Sequence, residues 1–189
     1  MKAFITSALG IVALLSFSGC NSTASYTQSY SQAKSKITGV NLNQKQANAV
    51  GERFVASFNT LGTAAFVEKA SSMYADQLYI NDTLAQFSNK NDLIEHFKGM
   101  NNRVSNVDVK LLSSTYQGDT AYVHWFMGYD FKMFGRTKTM SSYGISEIKI
   151  NQNNQIIFQQ DYWDPANGLY RNIPLVGGLY QWVLPFKNP

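Results

Sequence analysis

Three side chains in this sequence are candidates for moving a proton near neutral pH: Asp82, His124 and Asp161. Imidazole changes charge close to neutrality, and a carboxylate beside it decides which ring nitrogen carries the proton. A pair made of His124 and Asp161 could therefore run acid–base chemistry. Asp82 admits two readings. In Ile80-Asn-Asp-Thr83 its carboxylate can bond the backbone of its own turn. Desolvated in an apolar pocket, the same group would gain the raised pKa that a general base needs. His124 stands beside Trp125 in a strand-like run, so a packed core histidine competes with the catalytic reading. Asp164, followed by Pro165, reads as a turn former.

Other chemistries find no support. The histidines are His96 and His124, the acidic residues are dispersed, and there is one cysteine, so no metal-ligand cluster suggests itself. No glycine-rich phosphate loop precedes a helix, since Gly177-Gly178 lies in an apolar tail. No serine or cysteine has the context of a nucleophile. Neither a metal nor a cofactor is expected. The formal charge is +4, but Lys and Arg are scattered rather than gathered into the basic stripe that nucleic-acid binding requires.

Cys20 calls for a separate explanation. Lys2 precedes the apolar run Ala3 to Phe17, which ends in Ser16-Phe17-Ser18-Gly19-Cys20. That is the order of an export signal with a small-residue cleavage site, and it is shorter than the roughly 20 apolar residues of a spanning helix. A lone thiol after Gly19 can form no internal disulfide. The segment resembles the lipobox of bacterial lipoproteins, with Phe17 where that box usually has Leu. The resemblance implies a signal peptide over 1–19, lipidation (palmitate included) at Cys20, and attachment to a membrane through that lipid. With Asn21 rather than Asp next, it implies the outer membrane, facing the periplasm. Residues 20–40, rich in Ser, Thr, Gln and Tyr, are expected to be a flexible tether.

The elements that must position the candidate residues follow from periodicity. Ala47, Val50, Phe54 and Phe58 recur at helical spacing, Gly62 stops that helix, and Thr63 caps a second with Phe66, Ala70 and Met73 inward. Gln77 to Asp82 is short and β-like. A third helix carries Leu93, Ile94, Phe97 and Met100, with Asn91 as its expected cap. Four strands follow over 107–116, 120–131, 137–150 and 155–163, separated by turn signals. The expectation is one α+β domain over 41–165, a cone-shaped curved antiparallel sheet covered by three N-terminal helices, a cystatin-like roll. Residues 166–189 form an apolar, aromatic arm that packs on its own domain, on a partner, or on lipid through Trp182 and Phe186.

This element order, with Met73-Tyr-Ala-Asp76, Asp82 and the closing Asp161-Tyr-Trp-Asp164, resembles the nuclear transport factor 2-like superfamily. Within it, the resemblance is to the SnoaL-like polyketide cyclase and ketosteroid isomerase group. It implies that Asp82 stands where the isomerase has its general base. Phe54 or Phe58 replaces the donor tyrosine, and Ser146 replaces the protonated aspartate, so steroid-type isomerisation is not expected. Alignment of Gly118 to Gly128 with the isomerase strand places Tyr122, His124 and Phe126 on the inner face, joined by Ser146, Asp161 and Trp163. The candidate ligand-binding set is thus Phe54, Phe58, Tyr122, Phe126, Ser146 and Trp163. The leading expectation is an envelope lipoprotein that binds a small, largely apolar ligand. A cyclase or isomerase working by proton abstraction, and an envelope assembly or scaffold protein, are the alternatives. The resemblance also leaves room for a homodimer through the open sheet face.

Overall fold

The computed structural model describes residues 21–173 and 176–183. The expected signal peptide, Cys20, Leu175, Leu184 and Phe186 lie outside the described residues. The chain divides into two compact units, 1–37 and 38–189. In the first, helix α1 spans Asn21–Lys36, where irregular chain was expected. No Pro or Gly interrupts these sixteen residues. Lys34 Nζ donates to Tyr30 Oη one turn earlier at 3.2 Å, and Lys34 and Lys36 lie in the last turn, where the helix dipole favours cations. Polar composition here argued against a packed core, which is a different matter from local helicity.

The second unit begins its regular structure with α2 (Gln44–Phe58), closed by a capping box in which Asn43 and Gln46 satisfy each other's backbone. Helix α3 (Ala64–Met73), capped by Thr63, runs without a loop into strand β1 (Tyr74–Asn81). A short strand that the sequence did not reveal, β2 (Gln86–Asn89), turns directly into α4 (Lys90–Met100). Its cap is Asn89 rather than Asn91, with the side chain accepting from Asp92 N at 3.0 Å. The meander follows as β3 (Val104–Gln117), β4 (Thr120–Met133), β5 (Arg136–Ile150) and β6 (Ile156–Trp163).

The strand order is β2-β1-β6-β5-β4-β3, curved and unclosed. The sheet is mixed, which corrects the expectation of an all-antiparallel one: β1 pairs parallel to β6, and every other pair is antiparallel. More than seventy residues containing a helix and four strands separate β1 from β6, and a long crossover is what parallel pairing needs. The core lies between one face of this sheet and helices α2 to α4, with Phe54, Phe66, Leu93, Phe97, Val123 and Ile148 at its centre. Beyond β6 the chain forms a short helix, α5 (Pro165–Gly168), a 3-10 turn (Tyr170–Asn172) and helix α6 (Val176–Val183).

Candidate functional site

A cavity of about 490 Å³ lies between the inner sheet face and the helices. Ligand sites commonly occupy roughly 300–1,000 Å³. Its apolar wall includes Phe54 and Phe58 of α2, Val109 of β3, and Trp125, Met127 and Tyr129 of β4. Glu95, Gly99 and Arg103 border it and are exposed, marking where it meets solvent. The Phe54 and Phe58 rings pack at a tilt of 35° with centroids 4.5 Å apart, and Phe58 meets Phe66 edge-on at 5.1 Å. The aromatic wall is therefore held from behind.

The polar groups gather around Asp82, His96 and Asp161. Asp82 follows β1, and the turn-forming reading of its carboxylate holds. Oδ1 accepts from the backbone N–H groups of Leu84 and Ala85 at 2.9 and 2.7 Å, which fixes the turn. Oδ2 lies 3.2 Å from His96 Nε2 on α4. Trp163 Nε1 donates to the Asp82 carbonyl at 2.9 Å, tying the end of β6 to this turn. His96 leans on Phe87 and Phe97, with ring centroids 4.9 and 5.9 Å away, so packing holds the imidazole in place.

Asp161 is 8% exposed, and its carboxyl is held by hydrogen bonds. Gln159 Nε2 donates to both carboxyl oxygens at 3.0 Å, and Gln159 Oε1 accepts from Tyr74 Oη at 2.8 Å. Burial pushes the Asp161 carboxyl up to about 7. Hydrogen bonds from Ser146 and Gln159 oppose the rise, and the nearby charge of Asp82 adds to it. Tyr74 is raised well above the usual phenol range by burial, then by the charges of Asp161 and Asp82, against its bond to Gln159. At neutral pH the site therefore offers an acid that both donates and accepts protons, beside a carboxylate–imidazole contact.

The structure brings Asp82, Asp161, Phe54, Phe58 and Trp163 to the cavity. Ser146 is fully buried behind it, accepting from Trp125 Nε1 at 2.9 Å and standing opposite Asp161 in the β5–β6 ladder. Tyr122, His124 and Phe126 do not line it, which corrects the expectation for β4. Ala121, Val123, Trp125, Met127 and Tyr129 face the helices instead. His124 pairs with Ile145, which pairs with Tyr162, whereas Asp161 lies in the row of Ser146 and Val123. His124 and Asp161 therefore occupy opposite sheet faces, and their proposed pair does not form. Side chains alternate with period two, so displacing the aligned strand by one residue reverses every assignment.

Sequence reasoning passed over His96, Gln159 and Tyr74. Helical spacing could have found the first, because Leu93, His96, Phe97 and Met100 share one face. Gln159 was also accessible, two residues before Asp161 on the same face of β6. Among the described residues no group of three or more His, Cys, Asp and Glu is placed to hold a metal ion.

No protein-family model and no curated protein sequence matches the chain. Solved structures do. An epoxide hydrolase from M. tuberculosis, described as LEH-like, aligns with TM-score 0.54 and 14% identity, covering 76% of this chain and 98% of its own. A protein assigned to the SnoaL-like polyketide cyclases, from Shewanella denitrificans, aligns at 0.55 and 9%, covering 65% and 93%. A protein of ketosteroid isomerase-like fold from Catenulispora acidiphila, in complex with trimethylamine, aligns at 0.53 and 15%, covering 64% and 88%. The fold is thus that of the SnoaL-like and nuclear transport factor 2-like proteins. At these identities the likeness establishes the architecture, and function must be argued from the site.

Proposed function

We propose that the chain is a membrane-anchored envelope lipoprotein whose SnoaL-like domain binds one small, largely apolar molecule. The observation that carries the binding reading is the aromatic cavity, with Asp82, His96 and Asp161 on its wall and the charged Glu95 and Arg103 at its solvent border. An apolar body would fill the space beside Phe54, Phe58 and Trp125, and a single oxygen or nitrogen function would be met by Asp161. Protonated, Asp161 donates to a carbonyl or ether oxygen; ionised, it accepts from a hydroxyl or ammonium. The anchoring part rests on the lipobox-like sequence ending in Cys20, and Asn21 supports the outer membrane, facing the periplasm. Native mass spectrometry of protein released gently from the envelope should show the chain plus one small-molecule adduct. Protein that is empty on release, and takes up nothing from a total lipid extract, would contradict the reading.

A second reading has its own support. The Asp82–His96 contact at 3.2 Å, beside a buried acid poised near neutrality, is an arrangement that can abstract a proton and return it elsewhere. In this version the chain is a cyclase or isomerase acting on the same guest. Asp82 or His96 is the base, and Asp161 donates to the oxygen that gains charge. Asp82→Asn would then abolish turnover while leaving guest binding within about threefold, since uncharged contacts supply most of the affinity.

A further inference from the structure

Helix α6 has an outward face that nothing covers among the described residues. Val176, Leu179 and Trp182, spaced by three, run along one side of it. They are 43%, 60% and 82% exposed. The opposite side is set by Gly177, which is buried, donates its N–H to Ile173 O at 2.9 Å, and sits so close to Arg171 that a Cβ would collide with that residue's carbonyl. A glycine at the contact and large apolar side chains pointing away are the reverse of what a helix does when its apolar side packs on its own domain.

We propose that α6 is an interfacial helix that seats the tethered domain on the surface of the lipid bilayer. The inference rests on the lipoprotein reading above, because Cys20 supplies the reason that lipid is the occupant. Residues 21–37 span at most about 60 Å even if fully extended, so an acylated Cys20 holds the domain permanently within reach of the membrane. Tethering turns a weak contact into an intramolecular one, at an effective concentration on the order of millimolar. Three apolar side chains then suffice where a free protein would need a larger surface. The composition agrees: α6 carries no charge, while Arg171 before it and Lys187 after it in sequence are cations suited to an anionic headgroup layer. Trp182 is the amphipathic ring that favours the headgroup level.

Seating α6 also orients the cavity. Leu169 lines it, and Leu169 immediately precedes the 3-10 turn Tyr170–Asn172 that leads to α6. Tyr129, another wall residue, donates to Gly168 O at 3.2 Å. The segment that touches lipid is therefore continuous with the cavity wall, a route for a guest drawn from the membrane itself.

The test uses the chain from Cys20 onward, which retains every described element. Its single thiol is coupled to maleimide lipid in vesicles of phosphatidylethanolamine and phosphatidylglycerol with brominated acyl chains, which quench tryptophan on contact. Trp125 is buried and Trp163 half-buried in the domain, so they give a constant background. Tryptophan emission should fall on tethering. The fall should vanish in Trp182→Phe and shrink at least about threefold in Leu179→Glu, a substitution that puts charge into the apolar face. Equal quenching in parent and Trp182→Phe, or none in the parent, overturns the proposal. Chemical coupling makes the result independent of acylation in the cell. An acylated Cys20 with an unquenched Trp182 sinks the contact alone, and an unacylated Cys20 sinks the anchor alone.

Discussion

Asp82 Oδ2 and His96 Nε2 lie 3.2 Å apart across the gap between the end of β1 and helix α4. One carboxylate thereby serves two elements, because its other oxygen closes the turn that leads to β2. The two roles can be separated by substitution. Asp82→Asn keeps an oxygen for the turn and loses the charge, so the fold should persist while the contact with His96 weakens. Asp82→Ala removes both, leaving two turn N–H groups without acceptors, and should cost a further 1–3 kcal/mol or so. NMR chemical shifts of the His96 ring and thermal melts of the two variants check this.

Asp161 makes stability depend on pH in a definite direction. Its carboxyl is raised from the usual 3.8 to about 7 in the folded chain, so the unfolded state releases the proton first. The stabilisation is full at low pH, is lost as pH climbs from about 4 to about 7, and is flat above that, on the order of 4 kcal/mol at most. Asp119 and Asp164, whose pKa values are lowered, contribute in the opposite sense at lower pH. The parent minus Asp161→Asn difference isolates the slope. Denaturant melts from pH 4 to 8 should show that difference growing against the parent as pH rises.

The relay behind Asp161 is equally exposed to test. Tyr74→Phe removes the donor to Gln159 Oε1 and leaves a buried amide oxygen unsatisfied, at a cost of about 1–3 kcal/mol. With Gln159 no longer held, guest binding should weaken as well. A variant that loses stability but keeps binding unchanged would confine Tyr74 to a structural role.

Much of this arrangement was readable from residues alone, and the parts that were not share a cause. Thr63 announced its helix because a cap is a local bond between neighbours. The phase of β4 was hidden because Thr120 to Phe131 is apolar or aromatic on both faces, so alternation cannot say which side is inside. Parallel pairing of β1 with β6 depends on where a long crossover returns the chain, which no window of sequence contains. His96 needed that return too: it becomes a partner of Asp82 only once α4 folds back over β1.

Gly144 shows how closely the wall is fitted. It stands opposite Trp125 in the β4–β5 ladder, and a Cβ there would collide with the indole ring. Gly144→Ala should push Trp125 toward the cavity, strain its bond to Ser146, and cost about 1–3 kcal/mol. Fluorescence of Trp125 in the folded variant should shift, and the affinity for a guest should fall with the space lost.

Acylation can be decided in cells. Labelled palmitate should be incorporated into the parent and absent from Cys20→Ser. Incorporation that survives that substitution would move the lipid elsewhere or remove the lipoprotein reading.

The central claim is that the hollow beside Asp82 and Asp161 holds a guest. The direct measurement is titration of the purified chain with N-phenylnaphthylamine, an uncharged fluorescent probe, comparing the parent with Met127→Trp, which fills the space from the β4 wall. The account predicts saturable binding of one probe per chain, weakened at least about tenfold by the added indole while the fold is retained, consistent with a space of this size being largely occupied. No binding by the parent, or equal binding by both, contradicts it.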